Sequence, residues 1–269
     1  MSMSSKWTTL EQLVNRIGDG SSVATGGFML GRAPMAAVFE LIRQQRRDLE
    51  LVSLPNPLPA ELLVAGGCLA KVEFPFAALS LGGRVRQLPC LKRAIEQGQI
   101  DWVEHDGYRV VQRLRAAAMG LPFIPAPDVE KCELSEKDPP RFVEDPFTGA
   151  RVTVEQAYSP EVAVLHVQAA DEQGNLFIED PTTDLLIANA SQRVLATAET
   201  RVARLERVTI PAFQVEALAH VESGAWPTGC LGSSNYDERA LLDYLELAEA
   251  GREQEWLERA TRRLTLRAA

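Results

Sequence analysis

One segment sets the architecture of this chain: Ser22-Val-Ala-Thr-Gly-Gly-Phe-Met-Leu-Gly-Arg-Ala-Pro34. Its apolar start predicts a buried strand over residues 22–26, and its proline predicts a helix that begins at Pro34. Between them lies a loop in which Gly26 and Gly27 can adopt a positive φ and let a ligand approach the backbone closely. Because amides at a strand-to-helix turn point outward, this loop is a candidate for holding a phosphate or a developing oxyanion.

The same succession of strand, loop and helix repeats along the chain, which predicts an α/β fold with an open, largely parallel sheet flanked by helices. In such sheets ligands bind beyond the carboxyl ends of the strands, where Gly26 and Gly27 fall. Prolines 55, 57 and 59 predict an irregular loop, and residues 84–88 are expected to join the sheet. Other predicted strands cover 49–54, 162–167 and 193–197, and predicted helices cover 34–47, 108–119, 184–190, 237–250 and 253–263.

Length and composition set further limits on the function. With 269 residues and 46% hydrophobic composition, we expect one domain over residues 1–269, with a proline-rich surface excursion near 125–146. A net charge of −9 and the lack of a basic stripe argue against nucleic-acid binding. The chain carries no apolar run long enough to span a membrane and no apolar signal segment, so we expect a cytoplasmic protein.

The inventory of reactive residues argues against several chemistries. The four cysteines are widely spaced and the chain has only three histidines, so no metal site is predicted and the thiols are expected to be reduced and buried. His166 lies in an apolar run and is expected to be a core residue. Nucleotide-binding glycine motifs, a zinc-protease motif and a serine-hydrolase elbow are all absent from the sequence.

Two groups of polar side chains are candidates for a site. Arg109 and Arg113 lie one helical turn apart and could bind a phosphate or carboxylate, although a solvated helix face also explains them. His105, between Glu104 and Asp106, could transfer a proton, although an exposed turn residue is the alternative.

Several motifs resemble a known family. Asp19-Gly20, Gly26-Gly-Phe28 and Pro34 resemble the signature of the α, or A, subunits of class I CoA-transferases. Thr25 replaces an apolar residue of that signature, and Arg32 stands where the signature has a glycine. Further blocks resemble the glutaconate CoA-transferase branch: His105-Asp-Gly-Tyr-Arg109, Asp145-Pro-Phe-Thr-Gly149, Ala169-Ala-Asp-Glu-Gln-Gly-Asn175 and Gly224-Ala-Trp-Pro-Thr-Gly-Cys230.

The resemblance implies a NagB-RpiA-like fold and an A chain that pairs with a B chain, as A2B2 or (AB)n, with the active site at their interface. The family's nucleophilic glutamate lies in a Glu-Asn-Gly motif of the B chain, and this chain has no such motif. It would then be the non-nucleophilic half, with Gly26, Gly27 and Phe28 lining the pocket and offering amides to the thioester. A CoA thioester would be the substrate, with no tightly bound cofactor.

The reaction itself has several interpretations. The main prediction is transfer of CoA between a small dicarboxylic acyl-CoA and a carboxylic acid. Within the family, Ser53-Leu-Pro-Asn-Pro-Leu-Pro-Ala-Glu61 and Glu179-Asp-Pro-Thr-Thr-Asp-Leu185 most resemble A subunits of 3-methylglutaconyl-CoA decarboxylases, so decarboxylation is the alternative. Thioester or ring-opening hydrolysis and a non-catalytic binding role are further alternatives. Arg32 is the first candidate for pairing with a substrate carboxylate, followed by Arg109, Arg113 and Arg115.

Overall fold

A computed structural model describes residues 5–127 and 138–265. Its strands are β1 Ser22–Thr25, β2 Leu49–Ser53, β3 Leu69–Phe74, β4 Ala78–Leu81, β5 Arg84–Gln87, β6 Asp101–Glu104, β7 Phe123–Pro125, β8 Arg141–Glu144, β9 Arg151–Gln156, β10 Val162–Asp171, β11 Leu176–Phe177, β12 Arg193–Val202 and β13 Val215–His220. Its helices are α1 Leu10–Val14, α2 Met35–Arg43, α3 Pro57–Ala65, α4 Pro89–Glu96, α5 Gly107–Ala118, α6 Asp184–Ala190, α7 Glu238–Glu249 and α8 Glu253–Thr265.

The central sheet has the strand order β13-β12-β10-β1-β2-β3-β6, and every neighbouring pair along it is parallel. The short strand β11 pairs antiparallel with β10. The predicted α/β sheet is therefore confirmed. From β1, the strands β2, β3 and β6 follow towards one edge of the sheet, and β10, β12 and β13 follow towards the other. Such a switch in strand order opens a crevice at the carboxyl ends of the strands on either side of it.

Helices cover both faces of this sheet because each strand buries side chains on both sides. One core contains residues of α1 to α4, α7 and α8 together with Val23, Leu51 and Val72 of the sheet. The opposite core contains residues of α5 and α6 together with Ala24, Val52 and Leu165. The change of core between Val23 and Ala24 follows the two-residue alternation of a strand.

Two local predictions were wrong. Pro57 begins helix α3, because proline fits the first helical turn, where its missing N–H would be unpaired anyway. Residues 84–87 form a separate hairpin with β4, outside the central sheet. The proline-rich excursion predicted near 125–146 lies partly outside the described residues, and its described part contains β8, which pairs antiparallel with β9, while β9 also pairs with β7. Cys132, whose reduced state was predicted, lies outside the described residues.

None of the helices in the described ranges is both long and apolar enough to cross a lipid bilayer.

Candidate functional site

The carboxyl ends of β1, β2, β3 and β6 lie side by side along one edge of the sheet. We call the residues that follow them, 26–28, 54–56, 75–76 and 105–108, the carboxyl edge. Large apolar side chains are exposed along it although burying them would be favourable. These side chains are Phe28 at 45%, Phe76 at 41% and Tyr108 at 47% exposure. The carboxyl edge is therefore suited to contact a ligand or another chain.

The amides of the glycine loop are used within the chain. The N–H of Gly26 donates to the carbonyl of Val164 over 3.0 Å, and that of Phe28 donates to the carbonyl of Gly31 over 2.8 Å. The N–H of Gly27 donates to Asp184 Oδ1 over 3.0 Å. The expectation that these three amides face a thioester is therefore wrong for this conformation, and what the loop presents outward is the ring of Phe28.

Arg32 holds this loop from inside. Arg32 is 1% exposed and has a φ of 56°. All five N–H donors of its guanidinium have partners in the chain. Nη1 and Nη2 donate to the two carboxylate oxygens of Asp184 over 3.0 and 2.8 Å, and Nε donates to Asp180 Oδ1 over 2.7 Å. Nη1 and Nη2 also donate to backbone carbonyls, of His166 and Asp180.

This arrangement corrects the prediction that Arg32 binds a substrate carboxylate. A guanidinium has five donors, and none of those of Arg32 is left for a ligand. Burial alone would lower the pKa of Arg32, but its hydrogen bonds and charge pairing with Asp184 and Asp180 raise it. Because Asp184 Oδ1 accepts from both Gly27 and Arg32, the arginine fixes the acceptor that orients the loop.

A second loop, residues 223–232, is hydrogen-bonded to the glycine loop. The N–H of Arg32 donates to the carbonyl of Gly229 over 2.6 Å, and the N–H of Gly229 donates to the carbonyl of Leu30 over 2.8 Å. In the same second loop, the ring of Trp226 stacks on Trp256 of α8 at 5.7 Å. The tip at residues 28–31 is thus connected to the helical layer.

Beneath the carboxyl edge lies a buried charged cluster centred on Glu73. Its carboxylate accepts from Arg113 over 2.6 Å and from Lys71 over 2.7 Å, and it lies 3.1 Å from His105 Nε2. Burial alone would raise the pKa of Glu73, but the hydrogen bond with His105 and the charges of Arg113 and Lys71 hold it well below its ordinary value. His105 is 1% exposed, so its description as an exposed turn residue is wrong.

The other predicted arginines differ in their freedom. Arg109 is buried and donates to Glu155 and Asp138, so it ties α5 to β9 rather than facing a ligand. Arg113 is half-buried between Glu73 and the ring of Tyr158, 5.2 Å away. Arg115 is exposed and donates to Gln112.

The two acids beside His105 lie closer to solvent. Asp106 is exposed and caps α5, because its Oδ1 accepts from the N–H of Tyr108 over 2.7 Å. Glu104 is half-buried at the end of β6. Of these two acids, Asp106 presents the more exposed carboxylate at the carboxyl edge.

His166 is the core histidine that was predicted. Its Nδ1 lies 2.8 Å from Thr197 Oγ1, and its Nε2 lies 2.9 Å from Glu199 Oε1. Within the described residues, His166, Glu199 and Cys230 have ligand atoms within 4.8 Å of one another. Both imidazole nitrogens of His166 already have hydrogen-bond partners. Burial raises the pKa of the Cys230 thiol to about 12, which disfavours its thiolate form.

Comparison with known proteins adds the family. A family model described as Coenzyme A transferase matches residues 7–220. The chain belongs to the coenzyme A transferase family.

Three relatives of this CoA-transferase family member are informative. It is 34% identical over 255 residues to an uncharacterized protein of Archaeoglobus fulgidus, and the match covers 91% of this chain but only 56% of that protein. It is 32% identical over 245 residues to the A subunit of the 3-oxoadipate CoA-transferase of Pseudomonas knackmussii, with 86% of this chain and 84% of that protein covered. A solved variant of the decarboxylase AibA/AibB is 64% identical, with a TM-score of 0.93 over 94% of this chain and 97% of that chain.

In this CoA-transferase family member, replacing Glu73 with glutamine should lower the free energy of unfolding at pH 7 by about 2–3 kcal/mol, because Arg113 and Lys71 lose a buried counter-charge. Since the folded pKa of Glu73 is depressed, its stabilisation is fully present above the unfolded pKa of about 4.3, begins to fall near that pH and is lost progressively as the pH drops through the folded pKa. Urea titrations at pH 7 and pH 4 should therefore show a difference between wild type and E73Q that shrinks at the lower pH.

The matched control is Glu172→Gln, which removes an exposed ion pair with Arg201. It should change the free energy of unfolding by less than about 1 kcal/mol. A difference for E73Q that stays constant from pH 7 to pH 4 would contradict the depressed pKa.

Sequence reasoning did not single out Glu73 or Asn56 as site residues. Glu73 lies one residue before the end of β3, and Asn56 lies two residues after the strand predicted over 49–54, so a position at the end of a strand was the available signal. Neither belongs to a motif that marks a reactive group, and their partners His105, Arg113 and Gly26 are distant along the chain.

Proposed function

We propose that the protein is the A subunit of a cytoplasmic, heteromeric enzyme that decarboxylates a small dicarboxylic acyl-CoA, with 3-methylglutaconyl-CoA as the expected substrate. The observation that carries this proposal is the 64% identity to the decarboxylase AibA/AibB over 94% of the chain. Identity to the 3-oxoadipate CoA-transferase chain is half as high, at 32%. The resemblance of residues 53–61 and 179–185 to 3-methylglutaconyl-CoA decarboxylases supports the same choice.

The reaction requires an electron sink, the release of CO2 and a proton. The bond between the terminal carboxylate and its carbon breaks, and its electron pair moves into the thioester carbonyl to form a dienolate. Carbon dioxide leaves, and the dienolate then takes a proton on carbon. The thioester of the substrate supplies the electron sink, so we propose no tightly bound cofactor, with the CoA thioester as substrate.

The carboxyl edge is suited to the first of these steps. Its exposed Phe28, Phe76 and Tyr108 would surround the reacting carboxylate with apolar surface once a second chain covers them. Removing water from a carboxylate raises its energy relative to neutral CO2, which favours loss of CO2. In this proposal Phe28 contacts the acyl group, while Gly26, Gly27 and Arg32 shape the loop that carries it.

The second chain would be the B subunit, in an A2B2 or (AB)n assembly. Support comes from the aromatic side chains left exposed along the carboxyl edge and from the lack of a Glu-Asn-Gly nucleophile motif in this sequence. Of the cationic candidates, Arg113 is the one proposed to bind a substrate carboxylate, because it is only half-buried and contacts His105 of the carboxyl edge, whereas the exposed Arg115 donates to Gln112 of its own helix. Asp106 and Glu104, the acids closer to solvent at the carboxyl edge, are proposed to exchange protons between the pocket and solvent.

CoA transfer to a small carboxylate remains the second candidate function. It is favoured by the match to the 3-oxoadipate CoA-transferase chain, which covers 84% of that protein.

The test is to co-express this chain with the B-subunit-like product encoded beside it and to follow 3-methylglutaconyl-CoA and glutaconyl-CoA by mass spectrometry, with and without acetate. We expect a product lighter by one CO2 that forms without acetate and requires both chains. Acetate-dependent acetyl-CoA would instead establish the transferase, and free CoA alone would establish a hydrolase. Each chain assayed by itself is the control, and turnover by this chain alone would contradict the two-chain proposal.

A further inference from the structure

Two buried polar atoms lie at the carboxyl ends of neighbouring strands. Thr25 is the last residue of β1, and Asn56 follows β2 by three residues. The two residues are 2% and 0% exposed, and neither Thr25 Oγ1 nor Asn56 Oδ1 has a hydrogen-bond partner among the described residues. A buried polar atom without a partner costs about 1–3 kcal/mol, so such atoms point to a group that binds them.

Strand pairing and hydrogen bonds bring these two residues together. Thr25 pairs in register with Ser53 on the adjacent strand, so their side chains lie on the same face of the sheet. The Ser53 hydroxyl donates to the carbonyl of Asn56 over 2.6 Å, and Asn56 Nδ2 donates to the carbonyl of Gly26 over 2.6 Å. Asn56 is thereby fixed with Oδ1 as its free acceptor, next to the residue that follows Thr25.

A water molecule fits this place. A buried water needs two to four polar partners, and the two residues, exposed by only 2% and 0%, offer it one hydroxyl and one amide oxygen. The Thr25 hydroxyl can donate to such a water or accept from it, and Asn56 Oδ1 can accept one of its protons. Thr25 directly precedes Gly26 and Gly27, and Asn56 is hydrogen-bonded to Gly26, so both residues adjoin the loop that carries Phe28.

We propose that Thr25 and Asn56 position a water molecule that protonates the dienolate after CO2 has left. This inference rests on the proposed decarboxylase function, because CoA transfer forms no carbanion and needs no such proton. It also explains why threonine occupies a position that is apolar in the transferase signature. Both residues are positioning residues, since they act through the water.

The step balances without any further reactant. One O–H bond of the water breaks and one C–H bond forms at the dienolate carbon, while the electron pair returns from the thioester oxygen to restore the carbonyl. The hydroxide left behind accepts a hydrogen bond from Thr25 and is reprotonated from solvent. Water is the proton source, and nothing is oxidised or reduced.

The test compares Thr25→Val and Thr25→Ser with wild type in the assembled two-chain enzyme. Valine keeps the shape but removes the hydroxyl, so kcat should fall about 10- to 100-fold, with KM within twofold and the melting temperature unchanged or higher. Serine should keep kcat within about threefold. In D2O, T25V should show a larger solvent isotope effect on kcat than wild type, which a purely structural role would not produce.

The matched control is Thr153→Val, which removes another buried threonine hydroxyl, in β9 away from the carboxyl edge. It should leave kcat and the isotope effect unchanged. A T25V enzyme whose kcat stays within twofold of wild type overturns the inference while leaving the decarboxylase intact. A wild-type enzyme that forms acetyl-CoA from acetate and releases no CO2 overturns the proposed function and this inference together.

Discussion

Replacing Arg32 with methionine is expected to lower the free energy of unfolding by about 3–5 kcal/mol, the usual effect of removing one partner from a buried ion pair. The change leaves Asp184, which is 0% exposed, as a buried carboxylate that keeps only the N–H of Gly27 as a donor among the described residues. It also leaves the carbonyls of His166 and Asp180 without their guanidinium donor. Urea denaturation at pH 7 measures the effect.

Two variants distinguish this structural role of Arg32 from the substrate-binding role that the sequence suggested. Arg207→Met removes an exposed ion pair with Glu179 and should change the free energy of unfolding by less than about 1 kcal/mol. Arg32→Lys should recover only part of the stability, because a single ammonium cannot replace a planar fork of five donors. If R32M were as stable as wild type and weakened only the binding of dicarboxylic substrates, Arg32 would after all be a substrate ligand.

The case of Arg32 shows where sequence reasoning reaches its limit. The segment from Ser22 to Pro34 predicted a strand, a loop and a helix, and all three are present, with β1 ending one residue and α2 four residues before the predicted ends. What it could not predict was the direction of the amides, because that depends on Asp184, 157 residues beyond Gly27. A positive side chain inside a glycine loop looks like a ligand-binding group until its acidic partners are known.

The Glu73 cluster shows a second limit of sequence reasoning. Lys71 and Glu73 alternate along β3, and alternating charges on a strand usually indicate a solvated face. The fold instead pairs β6 with this strand and packs α5 nearby, so that His105 and Arg113 meet the carboxylate of Glu73 from other parts of the chain. Local periodicity predicts which residues form a strand, but burial of a charge depends on the elements packed against it.

The largest loss of activity is expected from Gly27→Ala. Gly27 has a φ of 86°, and a Cβ atom there would lie 2.5 Å from the carbonyl oxygen of Gly31 and 2.6 Å from that of Arg32. Backbone atoms cannot yield as the end of a flexible side chain can, so the tip at residues 28–31 must move. Because a displacement of about 1 Å at an active site can cost about 100-fold in rate, kcat/KM of the assembled enzyme should fall at least about 100-fold.

Gly20→Ala is the matched control, because it separates the strain of a positive φ from the clash. Gly20 has a φ of 76°, but a Cβ atom there would have nothing within 4 Å of it, and the residue lies before β1 at the opposite edge of the sheet. Its replacement should cost about 1–2 kcal/mol of stability and leave kcat/KM within twofold of wild type. If Gly27→Ala behaved in the same way, the conformation of the glycine loop would not matter for catalysis, and Phe28 would have to be removed from the proposed site.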